Sequence, residues 1–332
     1  MSDEPGQNII ANLWVGRYGS IISKDFLKEN NIQSIISVCP CEETLTGYNH
    51  LVIPILDVAE ENIMKYFPEC NDFIQSSIDK DQNVLVHCEA GMSRSVTIVA
   101  AYLMWIRKIN PKEAISIIIK AWPSASPNSG FFSQLELYHE IDYTVDQTRT
   151  EYRRYLMANM AEEREMHGYV AEMTLAADPE NYSKQSSSYS LRCKKCRRAL
   201  VDRDNIIEHE PGKGQQAFSY HKRDSSLNIT EAASGDQGEV NTAANVNASL
   251  NPLLASLATT KNNCSSYFIE PMEWINGLDQ WSIEGRLDCP RCHTKLGSYC
   301  WSGAQCSCGR WVTPAFTLHR KQVDEMKAVR LR

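Results

Sequence analysis

Residues 84–95 read VLVHCEAGMSRS, a cysteine set between a short β-branched run and the apolar stretch VTIVAAYLMWI at 96–106. A strand running in and a helix running out leave His87-Cys88-x5-Arg94-Ser95 as the turn between them. Five residues can fold into a tight cradle whose backbone N–H groups converge on one point. Gly91 permits the close approach, and the helix dipole is aimed at the same place. A cradle of His87, Glu89, Ala90, Gly91, Met92 and Ser93 suits a tetrahedral oxyanion such as phosphate. Arg94 adds a planar guanidinium that can hold two equatorial oxygens at once. The same positive surroundings favour the thiolate of Cys88, a nucleophile for phosphoryl transfer through a cysteinyl-phosphate. Ser95 can donate a hydrogen bond to the sulfur as it leaves, and His87 organises the loop by hydrogen bonding. A buried cysteine followed by chance by an arginine would account for none of His87, Gly91 and Ser95.

The leaving group needs a proton, so a carboxylate at the end of a strand is expected upstream. Asp57, in IPILDV at 53–58, stands after an apolar run and before a helical pattern. Glu60 and Glu61 are nearby competitors, and a helix cap or a solvated loop residue is the bland reading of Asp57. Apolar runs at 32–38, 52–56 and 84–86 alternate with helical spacing at 24–30, 63–78, 95–107, 112–120 and 131–143. That alternation predicts an α/β domain whose sheet is covered on both faces.

At 332 residues the chain exceeds what one hydrophobic core usually organises. Residues 150–173 are charged, with a thin stripe of Tyr152, Tyr155, Leu156 and Met160, and read as a solvated connecting helix. The serine-rich NYSKQSSSYS at 181–190 reads as a flexible linker. Domains are therefore expected over 1–148 and 191–332, joined by 149–190, with a disordered insertion at 223–262 that is poor in aromatics. The net charge of −7 exerts no overall pull toward nucleic acid or anionic membrane. The longest apolar run is shorter than the ~20 residues a bilayer span needs, and MSDEPGQNII lacks the basic-then-apolar secretory pattern. Neither a membrane nor sequence-specific DNA is expected as a partner.

Eight of the twelve cysteines follow residue 190. Without a secretory pattern, reduced thiols and metal ligation are the better readings than disulfides. Cys193-x2-Cys196, Cys289-x2-Cys292 and Cys306-x-Cys308 are turns that project two thiolates toward one ion, and Cys264 stands just after the insertion. Seven cysteines fall one short of two tetrahedral sites, so a histidine is expected as the eighth ligand. His221 in FSYHKR is favoured over His319, His293 and His209, and Cys300 is assigned to the core. Two structural zinc ions would fold a domain too small to stand on apolar burial alone; iron–sulfur ligation, or no ion, is the alternative.

The stretches NLWVGRYGS, IPILDVAEENIMKYF, VLVHCEAGMSRS and SPNSGFFSQL closely resemble the cysteine-based dual-specificity protein phosphatases over roughly residues 8–143. The resemblance implies a cysteine-phosphatase fold with a central mixed sheet flanked by helices, phosphoprotein substrates, and no cofactor for catalysis. It also implies Asp57 as general acid, and Asn128-x-Gly130-Phe131-x2-Gln134 as a brace for the catalytic loop. Glu89 beside the nucleophile and IKAW at 119–122, where relatives often carry arginines, depart from the pattern. The second half, with FIEPMEWI and CPRCHTKLGSYCWSGAQCSCGRWVTPAFTLHR, resembles the Yvh1-like family. That likeness implies a small, mainly β zinc-binding domain with a separable role in late maturation of the large ribosomal subunit, in cytoplasm and nucleus. Lys194, Lys195, Arg197, Arg198, Arg310, Trp311, His319, Arg320 and Lys321 could then form a surface for a pre-ribosomal particle, or could merely solvate the domain.

Overall fold

The computed structural model describes residues 4–40, 45–181, 189–210, 264–278 and 281–327. A first sheet is built from β1 (Gly6–Ile10), β2 (Leu13–Gly16), β3 (Ile32–Ser37), β4 (Asn49–Val52) and β5 (Asn83–His87). Its spatial order is β1-β2-β5-β3-β4. Only β1 runs antiparallel to its neighbour, and β2, β5, β3 and β4 are mutually parallel. β3 and β5 are buried almost throughout, as strands covered on both faces must be.

The expected strand at 52–56 ends instead at Val52. Pro54 has no N–H to give the ladder, so the chain leaves the sheet there and carries Asp57 out on a loop. Short helices α1 (Gly19–Ile22) and α2 (Lys24–Glu29) follow β2. The pattern expected to be helical over 63–78 splits into a 3-10 turn at Met64–Tyr66 and α3 (Phe67–Ile78). α4 (Arg94–Arg107) leaves the loop after β5, and every residue from Arg94 to Met104 is buried. It therefore lacks a polar face and forms the axis on which α3, α5 (Pro111–Ala121) and α6 (Ser129–Glu140) rest. The side chains of Asn110 and Asn128 cap α5 and α6 by accepting from Glu113 N and Phe131 N, at 3.0 and 2.8 Å.

The chain divides into units Met1–Tyr155 and Leu156–Arg332, and the division falls inside α7 (Thr150–His167). The expectation of a solvated connecting helix is corrected here. Met157 and Met160, followed by Val170 and Ala176, enter the core of the second unit. The thin apolar stripe belongs to a packed element whose other face is charged. The expected 181–190 linker is shortened too, since its last residues open a strand; 182–188 and the expected insertion at 223–262 lie outside the described residues.

The second unit is mainly β. β6 (Tyr189–Cys193), β7 (Ala199–Asp202) and β15 (Val323–Lys327) form one antiparallel sheet in the order β15-β6-β7. β8 (Ile206–Ile207), β9 (Ser266–Ile269), β10 (Glu284–Asp288), β11 (Lys295–Cys300) and β14 (Ala315–His319) form another, ordered β10-β11-β14-β9-β8. β12 (Ala304–Gln305) and β13 (Trp311–Val312) make a small hairpin. Among the described residues no helix is long and apolar enough to cross a membrane.

Candidate active site and metal clusters

Gly16, His87 and Ser37 sit side by side at the ends of three parallel strands, because the register pairs Gly16 with His87 and His87 with Ser37. Ligand crevices form outside such strand ends. Cys88 follows at once, fully buried. Its Sγ receives the Gly91 N–H at 3.2 Å and lies 3.2 Å from Ser95 Oγ. Both can donate to a thiolate. Gly91 sits at φ +73°, where a Cβ would come within 3.0 Å of the Gly16 carbonyl oxygen. Glycine is thus required both for its dihedral and for its closeness to β2.

Arg94 is buried, with 4% of its surface exposed, at the first turn of α4. Nη1 donates to the Ile55 carbonyl at 3.2 Å, and Nη2 donates to Glu89 Oε2 at 3.3 Å. Nε lies 3.6 Å from Asp57 Oδ2 and makes no hydrogen bond. Nη1 is thus held by the protein, while Nε has no hydrogen-bond partner and Nη2 faces an exposed carboxylate that an oxyanion could displace. Glu89 draws on the same Nη2 that an oxyanion would use. Its side chain is 81% exposed, so this pair is worth at most ~1 kcal/mol. Glu89→Gln should therefore tighten tungstate binding by up to about fivefold at low salt. Calorimetric titration reads this directly, and unchanged or weaker binding would remove Glu89 from the anion's electrostatics.

Asp57 is tied to the same loop. Ser93 donates to Asp57 Oδ1 at 2.7 Å, and Asn128 Nδ2 donates to that oxygen at 2.8 Å. Asn128 N in turn donates to Ser93 Oγ at 3.1 Å. Gln134, also buried, accepts from Met64 N at 3.0 Å and donates to Glu61 O at 2.8 Å. A methyl at Gly130 would stand 2.0 Å from the Ala59 carbonyl oxygen. Asn128, Gly130 and Gln134 therefore all meet the segment that carries Asp57. Trp122, inside the departing IKAW stretch, donates from its indole to Gly91 O at 2.7 Å. No sequence signal pointed to that buried brace, nor to Ser93 as the contact that holds Asp57.

In the second unit, Cys193, Cys196, Cys289 and Cys292 form one group, and His209, Cys264, Cys306 and Cys308 form another. Within each, the donor atoms all lie within 4.8 Å of one another. The favoured eighth ligand, His221, lies outside the described residues. The second group is completed by His209, whose Nε2 is 3.4 Å from Cys264 Sγ. Cys300 joins neither group. In the first group Cys193 and Cys292 are 3.7 Å apart and Cys196 and Cys289 3.5 Å, against about 3.8 Å for tetrahedral thiolates around zinc. Burial pushes the Cys289 and Cys264 thiols up to about 12. Four such donors brought together could hold a metal ion at their centre. Left-handed Arg197, His293 and Gly309 close the three turns, with Arg197 N donating to Cys193 O and His293 N to Cys289 O. The first group links the β6–β7 turn to the β10–β11 turn, and the second joins the β8 and β9 ends to the β12–β13 hairpin.

The parallel strand ends, the cysteine loop and the buried arginine define a protein phosphatase of the dual-specificity class. Residues 13–141 match the family model "Dual specificity phosphatase, catalytic domain". Over 325 residues the chain is 33% identical to dual specificity protein phosphatase 12 of Rattus norvegicus, covering 96% of this chain and 87% of the relative. It is 34% identical over 279 residues to tyrosine-protein phosphatase yvh1 of Schizosaccharomyces pombe, covering 84% of this chain and 71% of that one. The Yvh1 phosphatase domain from Chaetomium thermophilum is 30% identical and gives a TM-score of 0.39, over 43% of this chain and 99% of that chain. The chain belongs to the family of dual specificity protein phosphatase 12 and Yvh1.

Proposed function

We infer that this phosphatase works in two steps on phosphotyrosine and on phosphoserine or phosphothreonine in proteins. The observation that carries the reading is the buried Cys88 sulfur, which sits between two donors in a loop that also carries the buried Arg94, whose Nε has no hydrogen-bond partner. In the first step the Cys88 thiolate attacks phosphorus, the bond to the substrate oxygen breaks, and Asp57 delivers a proton to that oxygen. Asp57 Oδ1 is occupied by Ser93 and Asn128, so the transferable proton sits on Oδ2. In the second step Asp57 takes a proton from water as the water attacks phosphorus, and the sulfur leaves with Ser95 donating to it. Exposed Leu56, Val58, Met92 and Tyr18 give the loops around this charged pit an apolar rim, which suits a phenyl ring as readily as an alkyl chain. Turnover of matched phosphotyrosine and phosphothreonine peptides by the full chain tests the breadth of substrate; activity on neither would overturn the reading.

The cysteine groups are read as two structural zinc sites. Cys193, Cys196, Cys289 and Cys292 would hold one ion and His209, Cys264, Cys306 and Cys308 the other. All four positions are filled by protein, and the ion would cross-link turns that are distant in the chain. Metal analysis should find two zinc ions per chain, falling by one in His209→Ala. A wild-type value near one would mean that Cys193 and Cys196 or Cys264 are not ligands, and no loss in His209→Ala would remove His209 from the ligand set and return His221 to consideration.

A role of this unit in maturation of the large ribosomal subunit, in cytoplasm and nucleus, is proposed as a second function. Exposed Lys194, Lys195, Arg310, Lys321 and Trp311 support it. Arg197, Arg198 and Arg320 weigh against a broad basic surface, because they pair with Asp324, with Asp178 and Glu180, and with Glu325. In cells lacking the protein, full-length Cys88→Ser should restore subunit maturation and His209→Ala should not. Failure of Cys88→Ser would assign the essential work to catalysis.

A further inference from the structure

A line of hydrogen bonds, half-buried at one end and fully buried at His87, runs up to the nucleophile. The Leu45 N–H donates to His50 Nδ1 at 3.0 Å. His50 Nε2 is 2.7 Å from Ser37 Oγ, which is 2.6 Å from His87 Nε2. His87 Nδ1 reaches the Cys88 carbonyl oxygen at 3.4 Å. Sheet register builds the line. Ser37 and His87 are direct neighbours across β3 and β5, while His50 lies two residues from the partner of Ser37 on β4.

The two ends of the line set its direction. A backbone N–H can only donate, so His50 Nδ1 accepts and a neutral His50 carries its proton on Nε2. That proton goes to Ser37 Oγ, the Ser37 hydroxyl then donates to His87 Nε2, and His87 is left with its proton on Nδ1. A carbonyl can only accept, so Nδ1–H is also what the Cys88 end requires. Burial disfavours the charged form of both rings, lowering His50 and pushing His87 down to about 4.

We propose that His50 is a positioning residue for the phosphatase reaction, fixing through Ser37 the His87 tautomer that holds the Cys88 carbonyl. In a planar trans peptide the carbonyl and the following N–H point opposite ways, so holding the Cys88 oxygen at His87 turns the Glu89 N–H away from it, toward the anion. The last bond is long and can be lost when nothing enforces the tautomer. The motif histidine alone therefore does not define the loop; a second histidine, 37 positions upstream, completes it.

The relay rests on the phosphatase reading, but its test is separate from turnover. Long-range proton–nitrogen spectra of the full chain with 15N-labelled histidine should show His87 protonated on Nδ1 and His50 on Nε2. In His50→Phe, which removes the donor, the His87 signals should shift toward a tautomer mixture. The kcat should fall roughly three- to tenfold with little change in KM, and His50→Gln, which keeps a donor near Nε2, should recover most of it. A wild-type His87 protonated on Nε2, or a His87 spectrum unmoved in His50→Phe, would overturn the relay. If instead Cys88→Ser keeps full turnover, the phosphatase mechanism fails while the spectra still decide the relay.

Discussion

Cys88→Ser should lower turnover by about 10⁴-fold or more, the largest effect expected of any single substitution in this chain. A serine hydroxyl is a far poorer nucleophile toward phosphorus than a thiol, and the Gly91 N–H and Ser95 hydroxyl that meet the Cys88 sulfur are also in place to meet it as it leaves. The exchange changes little volume at a fully buried position, so the loop should keep its shape. Initial rates on p-nitrophenyl phosphate measure the loss, and protection from thermal unfolding by tungstate shows that the oxyanion cradle persists. Retained turnover with intact tungstate binding would mean that the cysteine is not the attacking group.

Asp57→Asn should lower kcat by roughly 10²- to 10³-fold on phosphopeptides. The effect should shrink with leaving groups acidic enough to depart without a proton. Asparagine retains an Oδ1 to accept from Ser93 and Asn128, so the loop should stay in place and the loss can be assigned to proton transfer. Glu60→Gln and Glu61→Gln supply the contrast. If either one reproduces the leaving-group dependence and Asp57→Asn does not, the acid is misassigned.

The arrangement of the catalytic unit was largely legible in the chain because strand, loop and helix follow one another directly there. Cys88, Gly91, Arg94 and Ser95 lie within eight residues, and local geometry constrains most of what they can do. Spacing alone left Asp57 beside Glu60 and Glu61, and the family resemblance favoured Asp57; in the fold it differs from them by the Ser93 and Asn128 contacts, which span 36 and 71 residues. Residues 150–173 were misread as solvated for a related reason. Their mean polarity is high, but Met157 and Met160 need only a narrow contact to be buried, and the partner surface is distant in sequence.

Residue type and short spacing determined the chemistry on offer: a cysteine loop for an oxyanion, and paired thiols for a metal. Tertiary structure decided how those pieces combine. It set Cys193 and Cys196 against Cys289 and Cys292, and brought His209 to the remaining three cysteines. It also laid Ser37 and His50 beside His87 through strand register. Turns are governed by neighbours in the chain, whereas these partnerships depend on sheet pairing between segments dozens of residues apart, and no local pattern encodes that.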